Sequence, residues 1–188
     1  MKIICFSFCL FLAQISYSQS IIDIKEGMKT RLAAQKNWQN VITTEGMIIE
    51  GDNGMTWRNS SSIYMIDIEF ETDGTSDFGV KVLLKPNTNQ EAIVGYQLTN
   101  EQLYINNTNA GKADNSNTLG LFVTPLKIVR GRMKFQIFVD KTSVEVFAND
   151  GEASILSQVF PEENSIDWQI FSHGKSKVSS LKVYEQKD

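Results

Sequence analysis

Cysteine is nearly absent from this sequence: the two present, Cys5 and Cys9, both lie in its first apolar stretch. With that stretch removed on export, the chain can form neither a disulfide nor a thiolate metal site. Histidine is scarcer still, with His173 alone, and one imidazole without a second His or a Cys makes a poor metal site. Basic residues are scattered, 18 against 22 acidic ones. An acidic surface repels phosphate backbones and anionic lipid heads, so neither nucleic acid nor a membrane surface is an expected partner. Phosphate loops, Gly-x-Ser-x-Gly elbows and His-Glu-x-x-His helices are missing too, so no cofactor and no metal is implied.

What is present begins with an export signal. Lys2 is followed by mostly apolar Ile3 to Leu12, then by Ser16-Tyr17-Ser18, with small residues at the two positions a signal peptidase reads. That order predicts a secretory signal peptide over residues 1–18 and a mature chain from Gln19. The apolar stretch is about half the ~20 residues a membrane-spanning helix needs. Cys5 follows Ile4 and Cys9 follows Phe8, which does not suit lipoprotein anchoring. The leader holds Lys2 and no acid, so its loss makes the net charge one unit more negative than −4. The expected destination is exported, periplasmic or extracellular. The remaining length suffices for one domain burying roughly two-thirds of its surface.

Residues 19–46 form an N-terminal lead-in. Glu26 to Asn40 is the only helical pattern, weak because Gly27 interrupts it. From Met47 to the end, 47–188, the hydrophobic period is two. Tyr64, Ile66, Ile68 and Phe70 alternate with Met65, Asp67, Glu69 and Glu71; Phe78, Val80, Val82 and Leu84 follow the same rule, as do Phe135, Ile137 and Val139, then Val144 and Val146. Such alternation sets one side of each strand on a core. Shorter strands are expected at Ile93–Leu98, Gln102–Asn106, Leu119–Val123, Ser154–Phe160, Asp167–Ser172 and Lys177–Glu185. Turn signals separate them at Asp52-Asn53-Gly54, Asp73-Gly74, Pro86-Asn87, Asn149-Asp150-Gly151 and His173-Gly174. Asn107–Asn117 is expected as a long exposed loop. Many short strands with no helix between them predict an all-β fold, an antiparallel two-sheet β-sandwich.

The most specific stretch is Phe138-Val139-Asp140-Lys141-Thr142-Ser143-Val144-Glu145-Val146-Phe147-Ala148-Asn149-Asp150-Gly151-Glu152. It resembles the hallmark hairpin of the C-terminal module of glycoside hydrolase family 32, the invertases, levanases and inulinases. Asp67–Thr72 with Phe78–Val82, Gly95-Tyr96 with Leu103-Tyr104-Ile105, Val159-Phe160-Pro161 and Ser180–Glu185 resemble other segments of that module in the same order. The resemblance covers roughly Met47 to Glu185 and implies a concanavalin-like jelly roll. One departure stands out: after Ile105 the family usually has an Asp-Arg-like pair, and here Asn106-Asn107 stands.

By the same resemblance, the catalytic carboxyl groups belong on a separate five-bladed propeller, in Asn-Asp-Pro-Asn, Glu-Cys and Arg-Asp-Pro motifs. Retaining glycosidases need two carboxyl groups about 5 Å apart. None of the three motifs occurs here: Asp never precedes Pro and Glu never precedes Cys. Asp140 and Glu145 share a hairpin, but an Asp at a turn ordinarily bonds its own backbone, so no catalytic residue is assigned. Sugar sites join an aromatic face to placed polar groups. Trp57, Arg58, Tyr104 and Asn106 have that chemistry and are the candidate ligand-binding residues, while Trp168, between Ile166 and Ile170, is expected in the core. Three readings follow: a module that binds a carbohydrate, fructan first; a module that docks onto a separately encoded glycoside hydrolase catalytic domain; or the remnant of a truncated glycosidase.

Overall fold

The computed structural model describes residues 25–30, 37–51, 54–72, 77–112 and 119–186. The expected leader at 1–18, the turns at 52–53 and 73–74, and residues 113–117 of the expected loop lie outside them. Residues 25–30 make a short helical turn. The described strands are β1 (Trp38–Thr44), β2 (Met47–Gly51), β3 (Thr56–Arg58), β4 (Tyr64–Thr72), β5 (Phe78–Leu84), β6 (Glu91–Gln97), β7 (Gln102–Asn109), β8 (Leu121–Pro125), β9 (Arg132–Asp140), β10 (Ser143–Ala148), β11 (Ala153–Gln158) and β12 (Asp167–Gln186). Residues 38–44, inside the lead-in, are thus a strand, paired with the end of β12.

Every strand pair is antiparallel, and the strand order is β11-β10-β9-β4-β12-β5-β6-β7-β8, with β1, β2 and β3 also on β12. The organising element is β12. Its first residues, Asp167–Ser172, pair with β3 and β5; the stretch Ser176–Glu185 pairs with β4. One strand therefore belongs to two layers. The first layer is β11-β10-β9-β4-β12 with β1 and β2, and the second is β8-β7-β6-β5-β12 with β3. The expected break at His173-Gly174 is instead a register shift between Ser172 and Lys175 inside this continuous strand. A bulge bends a strand without ending it, and here the bend carries the chain from one layer to the other.

The core lies between the layers. Tyr64, Ile66, Ile68, Phe70, Phe135, Ile137, Val144 and Val146 from the first layer, and Phe78, Val80, Val82, Val94 and Leu103 from the second, are fully buried. Phe78 ties the layers together, 4.6 Å from Phe70 and 6.3 Å from Phe135 between ring centroids. The alternation slips at one point. Leu83 adopts φ 58° beside a register shift against β12, and it turns inward in place of Leu84.

The hairpin from β9 to β10 turns through Lys141 and Thr142, with Ser143 opposite Asp140. From β10 to β11 the chain turns at Asn149, Asp150 and Gly151, with φ 47°, 56° and 85°. The Asn149 side-chain oxygen accepts from the Lys134 amide at 3.2 Å, and the Lys134 ammonium reaches Asp150 at 2.8 Å, so the turn is tied back to β9.

Asn107 corrects the expectation of an exposed loop. Strand β7 runs on to Asn109, and Asn107 is fully buried. Its Nδ2 donates to Ser157 Oγ at 2.8 Å and to the Gln158 carbonyl at 2.7 Å, and its Oδ1 accepts from the Gly120 amide at 2.6 Å. Those bonds join β7 of the second layer to β11 of the first and close the far edge. A buried neutral amide that both donates and accepts fits there; an ionised carboxylate could only accept.

Candidate functional site

The four candidate ligand-binding residues fall into two pairs on different strands. Trp57 lies on β3 opposite Trp168 of β12. The rings stack with centroids 4.3 Å apart and planes 10° from parallel. Trp168 is fully buried and donates from Nε1 to Asn59 Oδ1 at 3.0 Å. One face of Trp57 is therefore spent on the core, against which the ring packs. Arg58 points to the opposite side of β3 and is exposed, with Nη1 3.5 Å from Asp167 Oδ1.

Tyr104 and Asn106 are on β7, four strand steps away through β12, β5 and β6, roughly 19 Å at ~4.8 Å per step. The structure does not bring the two pairs together. It does keep Tyr104 and Asn106 on one outward face. There Tyr104 lies directly opposite Gly95 of β6 and Val123 of β8, and Asn106 opposite Ile93 and Leu121. Tyr104 is half-buried, whereas Leu121 and Val123 are 61% and 49% exposed. Burial pushes the Tyr104 hydroxyl up to about 12, and the carboxylates of Asp77 and Glu91 add to the effect. The phenol thus stays a neutral donor and acceptor at any physiological pH.

Sequence reasoning missed the glycines beneath this ring. Gly79 of β5 lies opposite Gly95, and a methyl group at Gly95 would fall 2.5 Å from Tyr104 Cζ and Oη. The end of the ring therefore crosses Gly95. From the other side, Phe171 of β12 reaches over Gly79, where a methyl would fall 2.9 Å from Cε1. Lys81 Nζ stands 5.9 Å from the Phe171 ring centre. The signal that would have found this pair is an isolated glycine inside each of two neighbouring strands, which marks close approach of another group.

A second concavity opens at one end of the sandwich, a groove of about 600 Å³ lined by Ser60, Ser62, Asp140, Lys141, Glu163 and Asn164 among others. Asp140 behaves there as a turn group, accepting from the Lys141 amide at 2.6 Å. Glu145 is on the outer face of β10 opposite Phe138. His173 sits with Nδ1 4.0 Å from Asp77 Oδ2 and its ring against Phe171. Among the described residues, no group of three or more His, Cys, Asp or Glu is placed to hold a metal ion.

The fold and these surfaces can be set beside known proteins. The family model for the C-terminal domain of glycosyl hydrolases family 32 matches residues 26–185. The chain belongs to that family. It is 32% identical over 170 residues to a levanase of Bacillus subtilis, covering 87% of this chain but 24% of the levanase. It is 28% identical over 134 residues to an extracellular exo-inulinase of Aspergillus niger, covering 70% of this chain and 24% of the inulinase. Among solved structures, the exo-inulinase of Aspergillus awamori superposes with a TM-score of 0.73 at 21% identity, over 80% of this chain and 30% of that one. This family 32 C-terminal chain thus spans about a quarter of the length of the curated relatives it matches, and the part it matches is the non-catalytic one.

Proposed function

We propose that this chain is an exported, non-catalytic accessory module that binds a glycan of the fructan class. One observation carries the binding role: a half-buried tyrosine and an amide, Tyr104 and Asn106, share the outward face of a sandwich that matches only the C-terminal quarter of levanases and exo-inulinases. The aromatic ring supplies a surface for sugar C–H groups, and the amide and phenol supply hydroxyl partners. Affinity is expected to be modest, because each sugar hydroxyl exchanges a bond to water for a bond to protein with little net gain. Support for a non-catalytic role is the sequence itself, which holds none of the family's three carboxylate motifs. Support for export is the leader pattern together with a relative named as extracellular.

Affinity electrophoresis in gels containing levan or inulin tests the binding role. The expected result is slower migration in at least one of them. Incubation with sucrose, inulin and levan tests the rest, with no fructose released; release that disappears in Asp140→Asn or Glu145→Gln would contradict it. A second reading has its own support, since Leu121, Phe122 and Val123 form an exposed apolar run on β8. Docking onto a glycoside hydrolase propeller would bury that run. No retardation by either polymer, with a propeller-type protein co-purifying, would favour docking.

A further inference from the structure

We infer that Tyr104, laid across Gly95 beside the exposed Leu121 and Val123, is a side-on stacking site for an uncharged glycan chain, and that Gly95 is the residue that positions its ring. The inference rests on the glycan-binding role proposed above and names the surface and the class of ligand.

Position comes first. Phe171, Gly79, Gly95, Tyr104 and Val123 stand in one row across β12, β5, β6, β7 and β8. Two large rings lean from opposite sides into the space left by two glycines. Packing alone accounts for Phe171, which is 1% exposed. It does not account for Tyr104, which keeps part of its surface in water although it rests on the sheet. The end of the ring lies over Gly95, and the part of the residue left in water is the aromatic surface that stacking on a sugar requires. Leu121 and Val123 extend that surface to the sheet edge with apolar area that no described residue covers. Isolated exposed aliphatic residues are ordinary; two of them in register with a partly open tyrosine and an amide make a shelf.

Charge sets the ligand class. Asp77 and Glu91 lie close enough to the phenol to act on it. Lys81 of β5 is occupied, 3.5 Å from Glu91 and 5.9 Å from the centre of the Phe171 ring. A phosphorylated or uronate-bearing chain would meet the repulsion of these carboxylates. A neutral polysaccharide meets only the ring, the aliphatic shelf, and polar partners in the phenol, Asn106 and Gln102.

The test compares parent, Tyr104→Ala, Tyr104→Phe, Gly95→Ala and the Gly95→Ala/Tyr104→Ala double variant by affinity electrophoresis. The gels contain levan, inulin, or carboxymethylated inulin. The atoms a methyl at Gly95 would meet first all belong to the movable end of the tyrosine side chain, so Gly95→Ala is expected to fold with little change in melting temperature while tilting the ring. Expected are at least a tenfold loss of affinity for the neutral polymer in Tyr104→Ala and in Gly95→Ala, near-parent binding by Tyr104→Phe, and no further loss in the double variant. Carboxymethylated inulin should bind at least tenfold more weakly than inulin. Retardation of the parent with full binding by Tyr104→Ala would overturn this site while leaving the glycan role standing. No retardation of the parent by either neutral polymer would overturn both. Equal binding of the carboxymethylated polymer would overturn the uncharged-ligand assignment. Should Gly95→Ala fail to fold, Tyr104→Ala and Tyr104→Phe still decide the question.

Discussion

The two outer faces of this sandwich solve the same problem in opposite ways. On the first layer, Phe138, Met65 and Tyr184 stand in one row across β9, β4 and β12. Phe147 meets Phe138 edge-on at 5.9 Å. Phe138, Met65 and Phe147 are only 7%, 3% and 3% exposed, and Trp38 of β1 and Met28 of the helical turn at 25–30 pack against them. That face is a second small core, covered by the chain's own N-terminal segment. On the second layer, the aromatics lie over glycines and Tyr104 remains partly open. An apolar side chain on an outer face is thus no guide to binding by itself; what covers it decides. By that criterion the Phe138 cluster is closed to a ligand, whereas the Tyr104 surface is open.

Variants can break or sharpen this contrast. The largest effect is expected at Asn107, which ties the layers together: Asn107→Ala removes three hydrogen bonds at a fully buried position and leaves partners unsatisfied. It should cost about 3 kcal/mol or more of unfolding free energy in urea titration. On the covered face, Phe138→Ala should cost about 3 kcal/mol, as deletions of buried rings do, without altering retardation by glycan. Tyr104→Ala should do the reverse, with a stability change within about 1 kcal/mol and lost retardation. Equal destabilisation by both would mean the faces are equivalent. At the turn that holds β10 to β11, Gly151→Val should cost about 2 kcal/mol, because a β-branched residue fits φ 85° badly. An unchanged melting temperature would mean that the turn does not depend on the positive φ at Gly151.

The smallest effect is a pH dependence. Free tyrosine ionises near 10, whereas burial, with Asp77 and Glu91, holds Tyr104 up to about 12. The folded state therefore favours the neutral phenol. That contribution is complete below about pH 10 and is lost as pH rises through the folded value. Tyr64, fully buried, is raised in the same direction by desolvation. Melting temperature should be level up to about pH 10 and then fall, and Tyr104→Phe should lessen the fall.

Much of this was legible in the residues. The inward set on β4, β9 and β10 follows from strict alternation, and the Asn-Asp-Gly turn from its chemistry. What was hidden depends on contacts distant in sequence. His173-Gly174 reads as a turn, yet pairing with β2 and β4 keeps β12 continuous through it. Asn107 reads as loop because its partners, Gly120, Ser157 and Gln158, are remote along the chain. Trp57 has the residue type of a sugar platform, but one of its faces is taken by Trp168, 111 positions away and opposite it in register. Tyr104 shows the converse. Its place over Gly95, on which the proposed binding role rests, becomes visible only in the fold.

The proposed glycan binding turns on which face meets the sugar. Backbone amide shifts of the isotopically labelled chain, followed during titration with inulin oligosaccharides, decide it. The amides of Gly79, Gly95, Tyr104, Leu121 and Val123 should move together and saturate with a single affinity, while those of Met65, Phe138 and Phe147 stay still. Shifts confined to the first layer, or none at saturating sugar, would contradict it.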